Sequence, residues 1–568
     1  MSEGNDDGLG AFLPVSDAGP NRWVGGWSER RAQLSPEKVG LVDATTDQSF
    51  TYAELDARAN RTARLLRQYG VETGERVAVI SRNRPELVDL FFATAKTGGV
   101  LAPLSHRLAA PEIAELLTTV DPKLLVIESP FVELVADARA ADAFDTGPSI
   151  LVLSADDAGN DSDDLSDAPA FAAVPTFASA LPDDASDPSD DASTPSDNAS
   201  TSSDDASDPS DDASPAEHTD VSMDDPHLFL HTGGSTGTPK ETVLTHEGIL
   251  WNSFNTITAW GLCPEDTTPM VFPMFHTGGW NVITVPLFHL GGTVVIARDF
   301  DPAAVLRLIP KHDASVLIAV PAVLRMMCAH DDWTETDLST LRFVKSGGGP
   351  CRESVMQAWW DRDIDLSQGY GLTECGPNNF AMPDGWPHEK ADSVGVPAMH
   401  VDARVVDDDG NELQGEVGEL ELSGPHAARK YWNAPEETRE TFDDGWVSTG
   451  DLARVDDDGY VHIEGRKKNM FVSGGENVYP PEVEDAVTAH PKVEDAVVIG
   501  IPDERWGQVG RAVVQGDDSV TVEELSAFLD DRLARFKQPK SVVFVDEMPM
   551  SGPSKIDRQA LKDRFGGG

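Results

Sequence analysis

The sequence predicts an α/β protein: parallel sheets covered by helices, then a small β-rich subdomain, then a compact mixed unit. Three observations carry this reading. Apolar runs of strand length alternate with amphipathic segments over most of the chain. After about Pro397 the pattern changes to short strands split by Asp-Gly turns. Beyond Arg466 about 100 residues remain, enough for a separate domain.

Tyr52–Gln68 carries Leu55, Ala59, Ala63 and Leu66 at helical spacing, and the strand-like Arg76–Ile80 follows it. Leu124–Ile127, Thr293–Ile296, Val316–Val320 and Phe343–Lys345 are further strand candidates. Asp409-Gly410 and Asp458-Gly459 are turns of the β-rich part. One segment departs from this pattern. Residues 155–221 turn to Asp, Ser, Ala, Pro and Thr, lack Lys and Arg, and repeat DDASDPSDDAS at Asp183–Ser193 and Asp204–Ser214. So little apolar surface cannot offset the entropy of ordering, and a disordered acidic insert is expected. The alternative, a metal-binding Asp array, lacks the Gly and terminal Glu of a calcium loop.

Composition excludes several function classes. The 568 residues hold 98 acids and 44 bases, a net charge of −54, which disfavours nucleic acid and anionic membrane surfaces as partners. The acids are spread along the chain, a distribution suited to a halophilic cytosol, where salt screens self-repulsion. The N-terminal MSEGNDDGLGAF has no basic or apolar leader pattern. The apolar stretches 281–297 and 314–327 are interrupted by His289, Gly291, Gly292, Pro321 and Arg325, so no membrane span is expected. Cys263, Cys328, Cys351 and Cys375 are scattered without a CxxC pair, which argues against a disulfide framework or thiolate zinc site. A cytoplasmic location is expected.

The chemistry begins after the insert. The apolar Leu228–Leu230 leads through His231 into Thr232, Gly233, Gly234, Ser235, Thr236, Gly237, Thr238, Pro239 and Lys240. Glycines let backbone N–H groups approach phosphate, hydroxyls add donors, and the lysine adds positive charge. It is not a Walker A loop, because no Gly-Lys-Ser/Thr occurs. A flexible linker would hardly lie between that strand and the apolar Thr242–Leu244.

Three further stretches are Ser367-Gln368-Gly369-Tyr370-Gly371-Leu372-Thr373-Glu374, Ser448-Thr449-Gly450-Asp451 and Gly465-Arg466-Lys467-Lys468-Asn469. With the Gly-rich loop and Lys555, their order resembles the adenylate-forming (AMP-forming) acyl-CoA synthetase superfamily. The resemblance covers nearly the whole chain outside the N-terminal tail and the insert. It implies a large N-terminal domain of two α/β lobes and a β-rich subdomain over residues 1–464. A hinge over 465–468 and a small mobile α+β domain over 469–568 would follow.

The implied reaction joins a carboxylic acid to coenzyme A with ATP and Mg²⁺, through an acyl-adenylate, releasing AMP and pyrophosphate. Two anions must meet, so positioning and positive charge carry the catalysis. By resemblance, Thr232–Lys240 grips the β- and γ-phosphates, Thr373 binds phosphate and Glu374 holds Mg²⁺. Gly347, Gly348 and Gly349 form one wall of the adenine pocket, with Gln368, Gly369, Tyr370 and Gly371 opposite. Asp451 accepts the ribose hydroxyls, assisted by Arg466. Lys555 bridges carboxylate and α-phosphate, and Lys468 is the hinge residue. Gly474 and Gly475 approach the pantetheine arm, His276 lines the acyl–pantetheine junction, and Trp280 and Asn281 line the acyl pocket.

Two departures from the family pattern are Gly233 in place of serine and Ser554 in place of the glycine before Lys555. The stretch 273–290 is most similar to fatty-acid–CoA ligases, so a medium- or long-chain fatty acid is the first expectation. Aryl acids and o-succinylbenzoate come next. No carrier domain is evident after Lys555, which disfavours carrier-protein loading. A non-catalytic protein recruiting partners through its insert is disfavoured by Lys240, Glu374, Asp451, Arg466 and Lys555. Monomer and homodimer both remain open.

The charge generates the first prediction. Folding and activity should require high salt, where the Debye length is about 3 Å at 1 M. Thermal melts and activity across a salt series test this, and an unchanged melting temperature in dilute buffer contradicts it.

Overall fold

The computed structural model describes residues 23–140, 147–154, 174–182, 221–232, 240–474, 476–503, 505–530, 532–550 and 556–567. The chain divides into two compact units. One comprises the residues up to Leu250 with Pro273–His276 and Leu287–Asp299, the other Trp251–Phe272, Thr277–Pro286 and the residues from Phe300 onward.

The first unit centres on a six-stranded sheet in the order Ser149–Leu153, Leu124–Glu128, Arg76–Ile80, Val100–Leu104, Pro226–Thr232, Lys240–Thr245. Neighbours are parallel except in the final hairpin. Val100–Leu104 and Leu124–Glu128 are buried along their whole length, as expected of strands covered on both faces. The helix Tyr52–Gln68 starts at a capping box. The Thr51 hydroxyl accepts from the Glu54 N–H, and the Glu54 carboxylate accepts from the Thr51 N–H at 2.7 Å. Its predicted stripe of Leu55, Ala59, Ala63 and Leu66 is buried. Val39–Asp43 pairs antiparallel with Ser49–Thr51 and parallel with Thr293–Ile296.

The expected single insert over 155–221 needs correction. Within it, residues 174–182 pack onto the sheet. The Val152 N–H donates to the Pro175 carbonyl at 3.1 Å, Thr176 bridges Val152 in parallel, and the short helix Phe177–Ala180 buries Phe177. Val221 is buried as well. The low-hydrophobicity average over the segment hid these apolar anchors. Both acidic repeats lie outside the described residues.

In the second unit, Val316–Ala319, Phe343–Ser346 and Leu366–Gln368 form a parallel sheet. The expected β-rich part is antiparallel, with Gly418–Ser423 between Asp402–Val406 and Trp446–Val455, and Val461–Arg466 beyond. Its turns use Gly410 (φ 81°) and Gly459 (φ 85°). The C-terminal sheet runs Glu476–Val478, Phe471–Ser473, Gly507–Gly516, Val493–Asp503, with Ser541–Phe544 parallel to Gly507–Gly516. Two apolar clusters in this region draw only on residues after Met470. Among the described residues no helix is long and apolar enough to cross a membrane.

The corrected insert sets a second prediction. Replacing 183–220 by a short Gly/Ser linker should leave the melting temperature and activity unchanged. Removing 155–220 should lower the melting temperature by a few degrees, because burying one Phe contributes about 1.5–3 kcal/mol. Equal melting temperatures for the two deletions would contradict the anchoring role of Phe177.

Candidate active site

In the first unit, Thr232 and Lys240 close the final hairpin as a register pair. The Gly-rich loop thus returns to an antiparallel strand, whereas a Walker A loop opens a helix. Gly233, Gly234, Ser235, Thr236 and Gly237 lie outside the described residues. The adjoining pair is His231 and Glu241, and residues directly opposite share a sheet face. Both are buried. Neither carboxylate oxygen of Glu241 has a hydrogen-bond partner among the described residues, and burial pushes its carboxyl up to about 8. Burial, with His276 nearby, pushes His231 down to about 3, so its ring is neutral. The His276 ring centroid lies 5.9 Å from that of His231 and 4.6 Å from that of Phe275. His276 is thereby held near the strand that leads into the loop.

In the second unit, motifs far apart in sequence meet on one carboxylate. The Tyr370 hydroxyl donates to Asp451 Oδ2 at 2.5 Å, and Arg466 Nε lies 2.7 Å from Asp451 Oδ1. Sheet register explains the ion pair, because Asp451 and Arg466 are partners on adjacent strands. Arg466 also donates to the Thr449 carbonyl at 3.2 Å. Burial, with Asp451 second, raises the Tyr370 hydroxyl well above its usual range, so it remains a donor. Asp451 is buried while the Arg466 side chain is 47% exposed.

Thr373 and Glu374 occupy a short 3₁₀ turn, Thr373–Cys375. Glu374 is buried, and its Oε1 accepts from the Tyr431 hydroxyl at 2.7 Å. Tyr431 escaped the sequence reading because it belongs to none of the recognised motifs. Gly347, Gly348 and Gly349 follow the strand Phe343–Ser346, and a Cβ on Gly347 or Gly349 would meet nothing within 4 Å. The Gly369 N–H donates to the Ser346 carbonyl at 2.7 Å, joining this turn to the loop that carries Tyr370 and Gly371. Gln368 braces that junction. Its Oε1 accepts from the Cys351 N–H at 2.8 Å, and its Nε2 donates to the Ala391 carbonyl at 2.7 Å. Both ends of the amide are therefore engaged by backbone.

Lys468 is exposed in the turn Lys467–Asn469, whose Lys467 pairs with Asp408 and Glu419. Gly474 has φ 64°, and a Cβ there would lie 2.7 Å from the Trp506 ring, so only glycine fits. Gly475 and Lys555 lie outside the described residues. Trp280 is fully buried, and Asn281 donates to the Thr277 hydroxyl at 3.2 Å.

The family described as AMP-binding enzyme matches residues 28–432, and its C-terminal domain matches residues 482–555. The chain belongs to the AMP-binding enzyme family. It is an enzyme of the AMP-forming acid–CoA ligase class. The ligase is 35% identical to feruloyl-CoA synthase of an Amycolatopsis species over 96% of this chain and 100% of that protein. It is 32% identical to long-chain-fatty-acid–CoA ligase FadD13 of Mycobacterium tuberculosis, over 95% and 98% respectively. Its fold is similar to ATP-bound MatB of Rhodopseudomonas palustris, with a TM-score of 0.80 and 30% identity over 96% of this chain and 99% of that one.

Glu241 provides a third prediction. Its folded value of about 8 stands above the ordinary 4.5, so the folded ligase keeps a proton that the unfolded chain releases. Stability should therefore fall as pH rises between these values, on the order of a few kcal/mol in all. Glu241→Gln removes the ionisable group and should raise the melting temperature at pH 8, the gain shrinking toward pH 5. A gain independent of pH would show that the carboxyl ionises normally.

Proposed function

We propose that the ligase activates a monocarboxylic acid as an acyl-adenylate and transfers the acyl group to coenzyme A, with the C-terminal domain serving each step in turn. The observation that carries this reading is the Asp451 carboxylate shared by Tyr370 and Arg466. A carboxylate is acceptor-only, so it suits the hydroxyls of a ribose, with the Arg466 guanidinium alongside to balance its charge.

The other roles follow from chemistry. Thr232, the loop after it and Lys240 take the β- and γ-phosphates, and Thr373 adds a hydroxyl donor. Glu374 suits Mg²⁺, a hard cation that prefers carboxylate oxygens, with the Tyr431 hydroxyl donating to one of them and orienting the group. Magnesium bound there with ATP would offset phosphate charge. The open faces of Gly347 and Gly349 leave room for a flat base.

In the first step a carboxylate oxygen attacks the α-phosphorus and pyrophosphate leaves, with Lys555 offsetting charge where the anions crowd. In the second, the thiol sulfur attacks the acyl carbon, AMP leaves and the thiol proton is released. Gly474 and Gly475 suit close approach of the pantetheine arm, and His276 lines its junction with the acyl group.

For the acid, the stretch 273–290 supports a medium- or long-chain fatty acid, and the similarity to feruloyl-CoA synthase supports an aryl acid. The distributed −54 charge supports a salt-rich cytoplasm as the setting.

A fourth prediction separates the half-reactions. Lys555→Ala should fail to form adenylate from acid and ATP, with a loss of at least about 100-fold, yet still convert supplied acyl-adenylate and coenzyme A to thioester. Lys468→Pro fixes φ near −65° at the proposed hinge and should do the converse. ATP–pyrophosphate exchange and thioester release, measured on folded variants, check both. Equal loss of both steps in Lys555→Ala would overturn the division of labour.

A further inference from the structure

The carbonyl that receives Gln368 is that of Ala391, and both neighbours of Ala391 are tied by charge to the antiparallel sheet. Lys390 Nζ lies 2.6 Å from Asp456 Oδ2 and 2.7 Å from Asp458 Oδ2. His462 Nδ1 lies 3.0 Å from Asp392 Oδ2, and its Nε2 lies 3.0 Å from Asp456 Oδ2. Asp456 and Asp458 belong to the turn after Trp446–Val455, and His462 to the strand Val461–Arg466. The His462 side chain is 8% exposed and that of Asp456 15%. Further along, backbone takes over, with the Val394 N–H donating to the Val461 carbonyl at 2.9 Å. Residues 390–392 are held to the sheet by the side-chain cluster.

An ionised carboxylate only accepts hydrogen bonds, and a neutral imidazole has a single N–H to donate. His462 faces a carboxylate at each nitrogen, so both contacts are made only by the imidazolium. The hydrogen bond to Asp392 raises the ring above its ordinary 6.5, against the effect of burial. Arg454, directly opposite on the adjacent strand, disfavours the positive charge but is itself paired with Glu464 at 2.7 Å. Lys390 shares Asp456 with the ring. Because the folded value lies above the ordinary one, the double bridge is complete below 6.5 and one arm is lost as pH rises through the folded value. Asp456 keeps Lys390 and the N–H groups of Asp458 and Tyr460, so the arm at stake is the one to Asp392.

We propose that His462 and Asp392 are positioning residues for the nucleotide: the imidazolium fixes Asp392 and, through Ala391 and Gln368, sets the wall against which the adenine packs. This rests on the ligase reading above, which places Gln368 and the turn Gly347–Gly349 beside the base. The path is short. Asp392 adjoins Ala391, Gln368 Nε2 donates to the Ala391 carbonyl at 2.7 Å, and Gln368 Oε1 accepts at 2.8 Å from the Cys351 N–H, two residues past the glycine turn. Both ends of the amide are engaged, so a shift of Ala391 moves Gln368 relative to that turn. Neutral His462 releases Asp392 and loosens this wall, and nucleotide affinity falls as pH rises. Binding of the acid does not depend on this path.

The test is calorimetric binding of adenosine to the full-length enzyme at one fixed salt concentration, from about pH 6 to about pH 9, a range in which adenosine itself does not titrate and histidine does. The wild-type Kd should rise by at least about threefold across the series, as expected when part of a charge-assisted hydrogen bond is lost. His462→Gln should bind at the weaker, high-pH affinity throughout, with no dependence on pH. Asp392→Asn removes the group that raises the ring and should move the rise to lower pH. The Asp392 side chain is 67% exposed, so this variant guards against misfolding of the first. In ATP–pyrophosphate exchange, KM for ATP should follow the adenosine series while KM for the acid stays level, a split that general damage to the fold would not produce. A flat wild-type series, the same slope in His462→Gln, or an unmoved rise in Asp392→Asn would each overturn the proposal and leave the ligase reading intact. Absence of adenosine and ATP binding at every pH would overturn the nucleotide reading itself.

Discussion

One carboxylate organises the second unit. Asp451 is buried, and burying a charge is costly unless it is paired and hydrogen-bonded. Arg466 supplies the charge and Tyr370 the hydrogen bond. Register fixes the first partner, since the antiparallel pairing of Trp446–Val455 with Val461–Arg466 places the guanidinium beside the carboxylate. The second comes from the loop after Leu366–Gln368, itself braced by Gln368 and by the Gly369 bond to Ser346. A parallel sheet and an antiparallel one are thereby joined at one side chain. The glycine turn, the tyrosine loop and Arg466 come together at that junction.

The same economy of positive charge runs through the chain. With acids outnumbering bases so heavily, each lysine or arginine placed against a buried acid has structural weight. Arg58 meets buried Asp89 at 2.6 Å, Arg82 meets buried Glu128 at 2.6 Å, and Arg342 meets buried Asp266 at 2.7 Å. These pairs link helix to helix, loop to strand end, and the loops that lead into two different strands. Exposed pairs such as Lys467 with Asp408 contribute little, and salt screens them further. Glu241 differs: among the described residues no hydrogen-bond partner offsets its burial, which pushes its carboxyl up to about 8.

Local patterns were legible where one physical signal dominated. The helix Tyr52–Gln68 and the strands Arg76–Ile80 and Thr293–Ile296 have the predicted limits because periodicity and end signals agree there. Asp451, Arg466 and Tyr370 were legible as motifs, but their meeting on one carboxylate depends on register and loop geometry, which spacing does not encode. Phe177 was missed because isolated aromatics in an acidic stretch hardly change a window average. The buried Asn252, Asn255 and Thr284 were missed for a related reason. Asparagine carries no charge and no periodic signal, and it reads as surface until burial shows otherwise.

The C-terminal domain, which we propose serves two steps in turn, poses a different constraint. Its two apolar clusters take no residue from before Phe471. The described polar ties are few and specific. Arg352 donates to the Glu494 carbonyl at 3.0 Å and to Asp495 at 2.7 Å, with both side chains about 30% exposed. An ion pair in that setting has a strength near the surface range, about 0–1 kcal/mol, and water can replace it at little cost. Near the turn Lys467–Asn469, burial and the positive charges of Arg558 and Lys468 lower the value of Lys562, so cations there repel across the boundary. Weak attraction on one side and repulsion beside the turn would let such a domain change position at low cost. A ligand chooses between two arrangements only through its differing affinity for them, so in the proposed two-step reaction ATP and coenzyme A would each favour one.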